Sequence, residues 1–174
     1  KQIASSYMPL AAVVFSDAVY QAIADHSATL NTFGHGFTAS GHPVACAVAL
    51  ENLAIIEERD LMGNAARLEA AFQAGLRRFA DHPLVGEARG TGLIGALELV
   101  ADKATKRPFD PVGRVGAIAA EEGHAAGLIF RAIGDQLALC PPLIVTEADI
   151  AEIFERLALA LDRTQARLAA ETAN

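Results

Sequence analysis

The chain has 174 residues, of which 52% are hydrophobic and 6% aromatic, and its formal net charge is -7. That length suits one domain or a domain and a fragment, and a compact chain of this size buries about 70% of its unfolded surface. No run of lysines or arginines is present, which excludes the basic footprint of a nucleic-acid binder, and no apolar run reaches the roughly 18 residues of a membrane helix.

Residues 1 to 8, KQIASSYM, open on a lysine and a Ser-Ser-Tyr turn, and PLAAVVFS (9 to 16) is an apolar run bounded by Pro9 and Asp17. It is expected to be a buried strand of a mixed or parallel sheet. A short helix over DAVYQAIAD follows, then a loop over SATLNTFGHGFTASGHP (27 to 43), rich in Ser, Thr, Gly and His. A helix is predicted from Ser40, with Ser40 as N-cap and Gly41 and Pro43 in its first turn; its first half is apolar all round, which predicts burial.

A second long helix, about 63 to 80, carries Leu68, Phe72, Leu76 and Phe79 at helical spacing and stops at Pro83. Residues 85 to 100 predict two strand segments bent at glycines, 101 to 111 a polar connector, and 113 to 126 a third helix. GLIFRAI and QLALCPPL predict a hairpin around Gly134-Asp135, and the last helix opens where Thr146 and Asp149 can form a cap. The joint between a first layer and a smaller α+β unit is expected between 60 and 80.

RGTGLIG (89 to 95) satisfies GxGxxG, but a dinucleotide-binding turn requires a helix to open there, and Ala96 to Val100 reads as strand. These glycines are read as bends in a sheet. His26, His82 and His124 form no compact metal set and are expected at the surface or in loops, and no metal site is predicted. Cys46 and Cys140 lack CxxC spacing, which predicts reduced thiols and fits a cytoplasmic compartment, although an upstream part could carry a targeting sequence.

Three features carry chemistry. Lys1 precedes a turn and an apolar strand, so its amine is either an ordinary charged end or a partly dehydrated nucleophile able to condense with an aldehyde. Thr38 and Ser40 place hydroxyls before a helix N-terminus, suited to a phosphate or to plain capping. Arg131 interrupts the apolar run GLIFRAI, where an arginine pointing inward needs a carboxylate or phosphate, whether on a ligand or in an internal salt bridge.

KQIASSYMPLAAVV, HGFTASGHPVACAVA and GLIFRAIGDQLALCPPL, in that order, resemble the C-terminal half of the class III (ω-) aminotransferases, closest to the amine:pyruvate transaminases. The resemblance implies an α/β chain of fold-type I, in which residues 1–70 end the large mixed-sheet domain that binds pyridoxal 5'-phosphate and residues 71–174 form the small C-terminal α+β domain. It implies that Lys1, an internal residue of a longer polypeptide, bears the cofactor as a Schiff base. It also implies that Phe37 and Thr38 bind the cofactor, Thr38 reaching the phosphate held by the neighbouring subunit, and that Arg131 holds the substrate carboxylate.

The implied reaction moves an amino group from an amine or ω-amino acid to a keto acid such as pyruvate, in a homodimer or a tetramer of such dimers, with neither nucleic acid nor membrane as partner. Other class III activities remain in play: a β-alanine, taurine or diamine transaminase, or an aminomutase. A different class, a non-catalytic binding module, is the other alternative. The isolated 174-residue chain is expected to be inactive, because half of the family's cofactor contacts lie in upstream elements. Departures from the family pattern are Ser-Ser-Tyr where many members have Ser-Gly-Tyr, and Ala11-Ala12 where Gly-Ala is common.

Overall fold

A computed structural model describes residues 2–172. The chain divides into two compact units, one ending at Asp60 and one starting at Leu61.

The first unit is a turn followed by two helices. Backbone bonds from Ser5 N–H to the Gln2 carbonyl and from Tyr7 N–H to the Ala4 carbonyl, both 3.0 Å, close the turn. They force left-handed backbone on side-chain-bearing residues: Ser5 has φ 46° and Ser6 φ 63°. Helix α1 spans Asp17–Leu30 and α2 spans Pro43–Glu58. The Asn52 amide on α2 donates to the Ile3 carbonyl at 3.0 Å, which ties the turn to the helix.

Three expectations for this unit are corrected. Residues 9 to 16 form no strand, and Val14 is 95% exposed; a strand needs a neighbour for its backbone groups, and none of the described strands pairs with this segment. Helix α2 starts at Pro43 with His42 as N-cap, not at Ser40. The Ser40 hydroxyl instead accepts the Phe37 N–H at 3.2 Å, so the capping-type side chain closes the preceding turn. Only Ala45 and Ala49 of α2 are buried, while Val44 and Leu50 are exposed, so the helix is not enclosed all round by the described residues.

The second unit follows the sequence pattern closely. Helix α3 (Leu61–Arg77) runs into a 3-10 turn (Arg78–Asp81) ahead of Pro83. Strands β1 (Val85–Thr91) and β2 (Ile94–Leu99) meet at Gly92, whose φ of 56° makes the bend. No helix opens at the GxGxxG stretch. Helix α4 (Arg114–Ala125), β3 (Arg131–Ile133), β4 (Gln136–Leu139) and α5 (Glu147–Thr172) complete it. The four strands form an antiparallel sheet in the order β1-β2-β4-β3.

Alternation along the strands sorts the sheet into two faces. Leu97, Leu99, Leu137 and Leu139 turn into a core that Phe72 and Leu76 of α3, Val115 and Ala119 of α4, and Phe154, Leu157 and Leu161 of α5 complete. Phe154 sits between Phe72 and Phe79, with ring centroids 5.3 and 6.0 Å away. The periodicity of Leu68, Phe72, Leu76 and Phe79 therefore marks a core stripe. Two polar side chains, the buried Gln73 and the half-buried Asn64, serve the chain's turns. Gln73 donates to the Gly92 and Ile94 carbonyls at 2.9 and 3.1 Å, and Asn64 donates to the Leu143 and Val145 carbonyls at 2.8 and 3.0 Å. Thr146 and Asp149 cap α5 reciprocally: Thr146 N–H and hydroxyl donate to Asp149 Oδ2, and Asp149 N–H donates to the Thr146 hydroxyl.

Candidate active site

Arg131 opens β3 and pairs with Ala138 of β4. Its neighbour Ala132, paired with Leu137, faces the core, so alternation puts the Arg131 side chain on the opposite, open face of the sheet. The inward orientation expected from sequence is corrected on this point: Arg131 is exposed, and no acidic partner engages it among the described residues. The guanidinium borders a cleft of about 400 Å³ whose walls include Phe130, Ala138, Cys140, Pro141 and Ile153. A planar cation beside an apolar wall suits a small carboxylate with an apolar substituent, because two parallel N–H···O bonds fix its orientation.

Phe37 and Thr38 lie together in one exposed turn of the first unit, and Arg131 lies in the second. The turn is closed by two bonds, Phe37 N–H to the Ser40 hydroxyl and Ser40 N–H to the Phe37 carbonyl at 2.9 Å. Phe37 is 72% exposed and packs edge-on against His35, ring centroids 5.4 Å apart. The Thr38 hydroxyl has no hydrogen-bond partner among the described residues, so the phosphate-type donor in this stretch is uncommitted. Lys1 lies outside the described residues.

His82 follows the 3-10 turn in the loop that leads to β1, a loop position as the sequence predicts, yet its imidazole is largely enclosed, with 11% of the side chain exposed. Leu84 N–H donates to its Nδ1 at 3.2 Å, which fixes the proton of the neutral ring on Nε2, 3.6 Å from Asp162 Oδ1. Burial lowers its pKa below 6.5, with Asp162 pulling the other way and Lys103 adding to the lowering. His26 and His124 are exposed, on α1 and α4. Among the described residues, no group of three His, Cys, Asp or Glu side chains could hold a metal ion.

One residue near Arg131 escaped the sequence reading. In sequence Asp135 reads as a turn residue and as part of the R-x-x-G-D stretch that the family resemblance rests on, with no role of its own; in the structure it is 7% exposed and its carboxylate caps α4. The available signal was Gly113, which begins a helix with no side chain of its own to cap it.

Comparison with known proteins fixes the lineage. The aminotransferase class-III family model matches residues 1–161. A probable γ-aminobutyrate transaminase 3, mitochondrial, from Oryza sativa subsp. indica is 40% identical over 169 residues, covering 97% of this chain and 33% of the relative. Among solved structures, a transaminase with L-alanine superposes with a TM-score of 0.90 at 50% identity, covering 97% of this chain and 40% of that one. The ω-transaminase of Pseudomonas jessenii in complex with PMP gives a TM-score of 0.89 at 51% identity, covering 97% and 37%. The chain spans about a third of the length of the curated relatives it matches. It belongs to the class-III aminotransferases, of fold-type I.

Proposed function

We propose that the chain supplies part of a transaminase that moves an amino group from an amine or ω-amino acid to a keto acid such as pyruvate. The observation that carries this reading is Arg131, an exposed guanidinium without an acidic partner among the described residues, beside an apolar cleft. A keto acid offers that site a carboxylate for the fork and a small apolar group for the wall. The names of the relatives support the donor class: γ-aminobutyrate is an ω-amino acid, and the superposed Pseudomonas jessenii structure is of an ω-transaminase.

Class-III aminotransferases depend on pyridoxal 5'-phosphate, which when bound supplies the electron sink that acidifies the substrate carbon. The residues present fit that group. Thr38 offers a free hydroxyl from an exposed turn, the donor chemistry a phosphate needs, and Phe37 offers a ring with an open face beside it. In this reading Lys1 anchors the cofactor, and its freed Nζ takes the proton from the substrate carbon as a general base. Thr38 serves the phosphate held by a second copy of the chain, which makes a homodimer the working unit, in the cytoplasm.

The test is Arg131→Ala in the holoenzyme. Loss of a charge-assisted pair worth about 1.5–3 kcal/mol should raise the KM for pyruvate roughly 10- to 100-fold while leaving that for an arylalkyl amine within about twofold. An equal rise for both substrates rules the role out.

A further inference from the structure

The turn behind Arg131 is tied down on two sides by one residue. Asp135 Oδ2 accepts the Gly113 N–H at 2.7 Å and Oδ1 accepts the Gly116 N–H at 2.8 Å. Gly113 is the N-cap of α4, so Gly116 stands at the third helical position. In a capping box these two N–H groups are satisfied by side chains of the helix itself. Here both positions are glycine, and a single carboxylate from the β3–β4 turn satisfies both, at the end of the helix where the dipole favours negative charge. The Asp135 carbonyl meanwhile accepts the Leu99 N–H of β2 at 2.9 Å.

The glycines are what permit so close an approach. A Cβ at Gly116 would collide with the Gly134 carbonyl, and Gly134 has a φ of 61°. Strand β3 contributes only three residues and pairs with β4 alone, so it has few bonds of its own to hold it. Its far end is Arg131. The position of that guanidinium therefore depends on how firmly the turn at Gly134-Asp135 is fixed to α4 and β2.

We infer that Asp135 is a positioning residue for keto acid recognition: by clamping the β3–β4 turn to the N-terminus of α4, its carboxylate holds Arg131 in register with the substrate carboxylate. This rests on the role proposed above for Arg131. Asp135 touches no substrate; it acts through the short edge strand. Misplacement of an orienting group by about 1 Å can cost as much as 100-fold, so the effect belongs on the keto acid alone.

The experiment compares Asp135→Asn, Asp135→Ala, Arg131→Ala and the double variant Arg131→Ala/Asp135→Asn in the holoenzyme. Asparagine keeps the volume but has one acceptor oxygen for two N–H groups. Asp135→Asn should raise the KM for pyruvate at least several-fold and Asp135→Ala more, with the KM for an arylalkyl amine and the kcat of the amine half-reaction within twofold of wild type. Amide exchange at Gly113 and Gly116 should quicken in the same order. Because Asp135 works through Arg131, the double variant should show the pyruvate KM of Arg131→Ala alone.

If Asp135→Ala fails to fold, Asp135→Asn decides. A selective effect in Arg131→Ala with none in Asp135→Asn overturns this inference and leaves the reading of Arg131 standing. Equal rises in both KM values, or additive effects in the double variant, also overturn it, since a plain fold role would give those. No pyruvate effect in Arg131→Ala removes the proposed function and this inference together.

Discussion

Arg89 Nη1 lies 2.7 Å from Glu98 Oε2 on the open face of the sheet, the face on which Arg131 has no acidic partner. Arg89 also meets Glu87 at 3.5 Å, and Glu87 meets Lys106 at 3.0 Å. The neighbouring cations hold the Glu87 carboxyl below its ordinary range, Lys106 chief among them. One arginine of this face is committed to its neighbours and the other is free. Glu98→Ala should therefore cost only about 0–1 kcal/mol, as exposed pairs do, and should leave the KM for pyruvate unchanged. Denaturant unfolding and steady-state kinetics on the same variant check both halves.

Ser6 holds a φ of 63° in the turn after Gln2, a backbone conformation costly for a residue with a Cβ. Ser6→Gly removes that cost, partly offset by the greater freedom glycine has when unfolded. A net gain of about 1 kcal/mol or less is expected, read as a higher thermal midpoint; a lower midpoint would mean that the serine side chain contributes more than the strain takes away.

Phe154 bridges Phe72 and Phe79 and is 4% exposed. Phe154→Ala should cost about 3–5 kcal/mol, the range for emptying an aromatic site in a packed core. Phe154→Leu should recover part of that loss. Equilibrium unfolding of the two variants distinguishes a cavity effect from a general intolerance at this position.

His82 gives the second unit an acid sensitivity. Its pKa is lowered by burial, so the folded state binds its proton more weakly than the unfolded state does. The stability it permits is complete above pH 6.5 and is lost as pH falls through the lowered folded value. Urea midpoints measured from pH 7.5 down to 5.5 should fall more steeply for wild type than for His82→Gln. Parallel slopes would assign the acid response to other groups.

The second unit was legible because its signals are local. The stripe at Leu68, Phe72, Leu76 and Phe79, the glycine bends, the hairpin at Gly134-Asp135 and the Thr146–Asp149 cap each fall within a few residues, and each appears where the sequence places it. What sequence could not supply was partnership at a distance. Asp135 caps a helix that begins 21 positions earlier, and His82 lies 3.6 Å from Asp162 of α5, so neither shows in a short window. Residues 9 to 16 have a strand's composition, but composition does not provide the neighbour that makes a strand. Ser40 shows the same limit at smaller scale: the residue type was right for a cap, and the bond went to Phe37 instead.

The function proposed above requires that an aldehyde cofactor be anchored on Lys1. The most direct measurement is hydride reduction of the yellow holoenzyme followed by peptide mapping by mass spectrometry. Loss of the visible absorbance is expected, with a stable pyridoxyl label on Lys1 that is absent from Lys1→Ala. A label on another lysine, or bleaching with no covalent adduct, would contradict it.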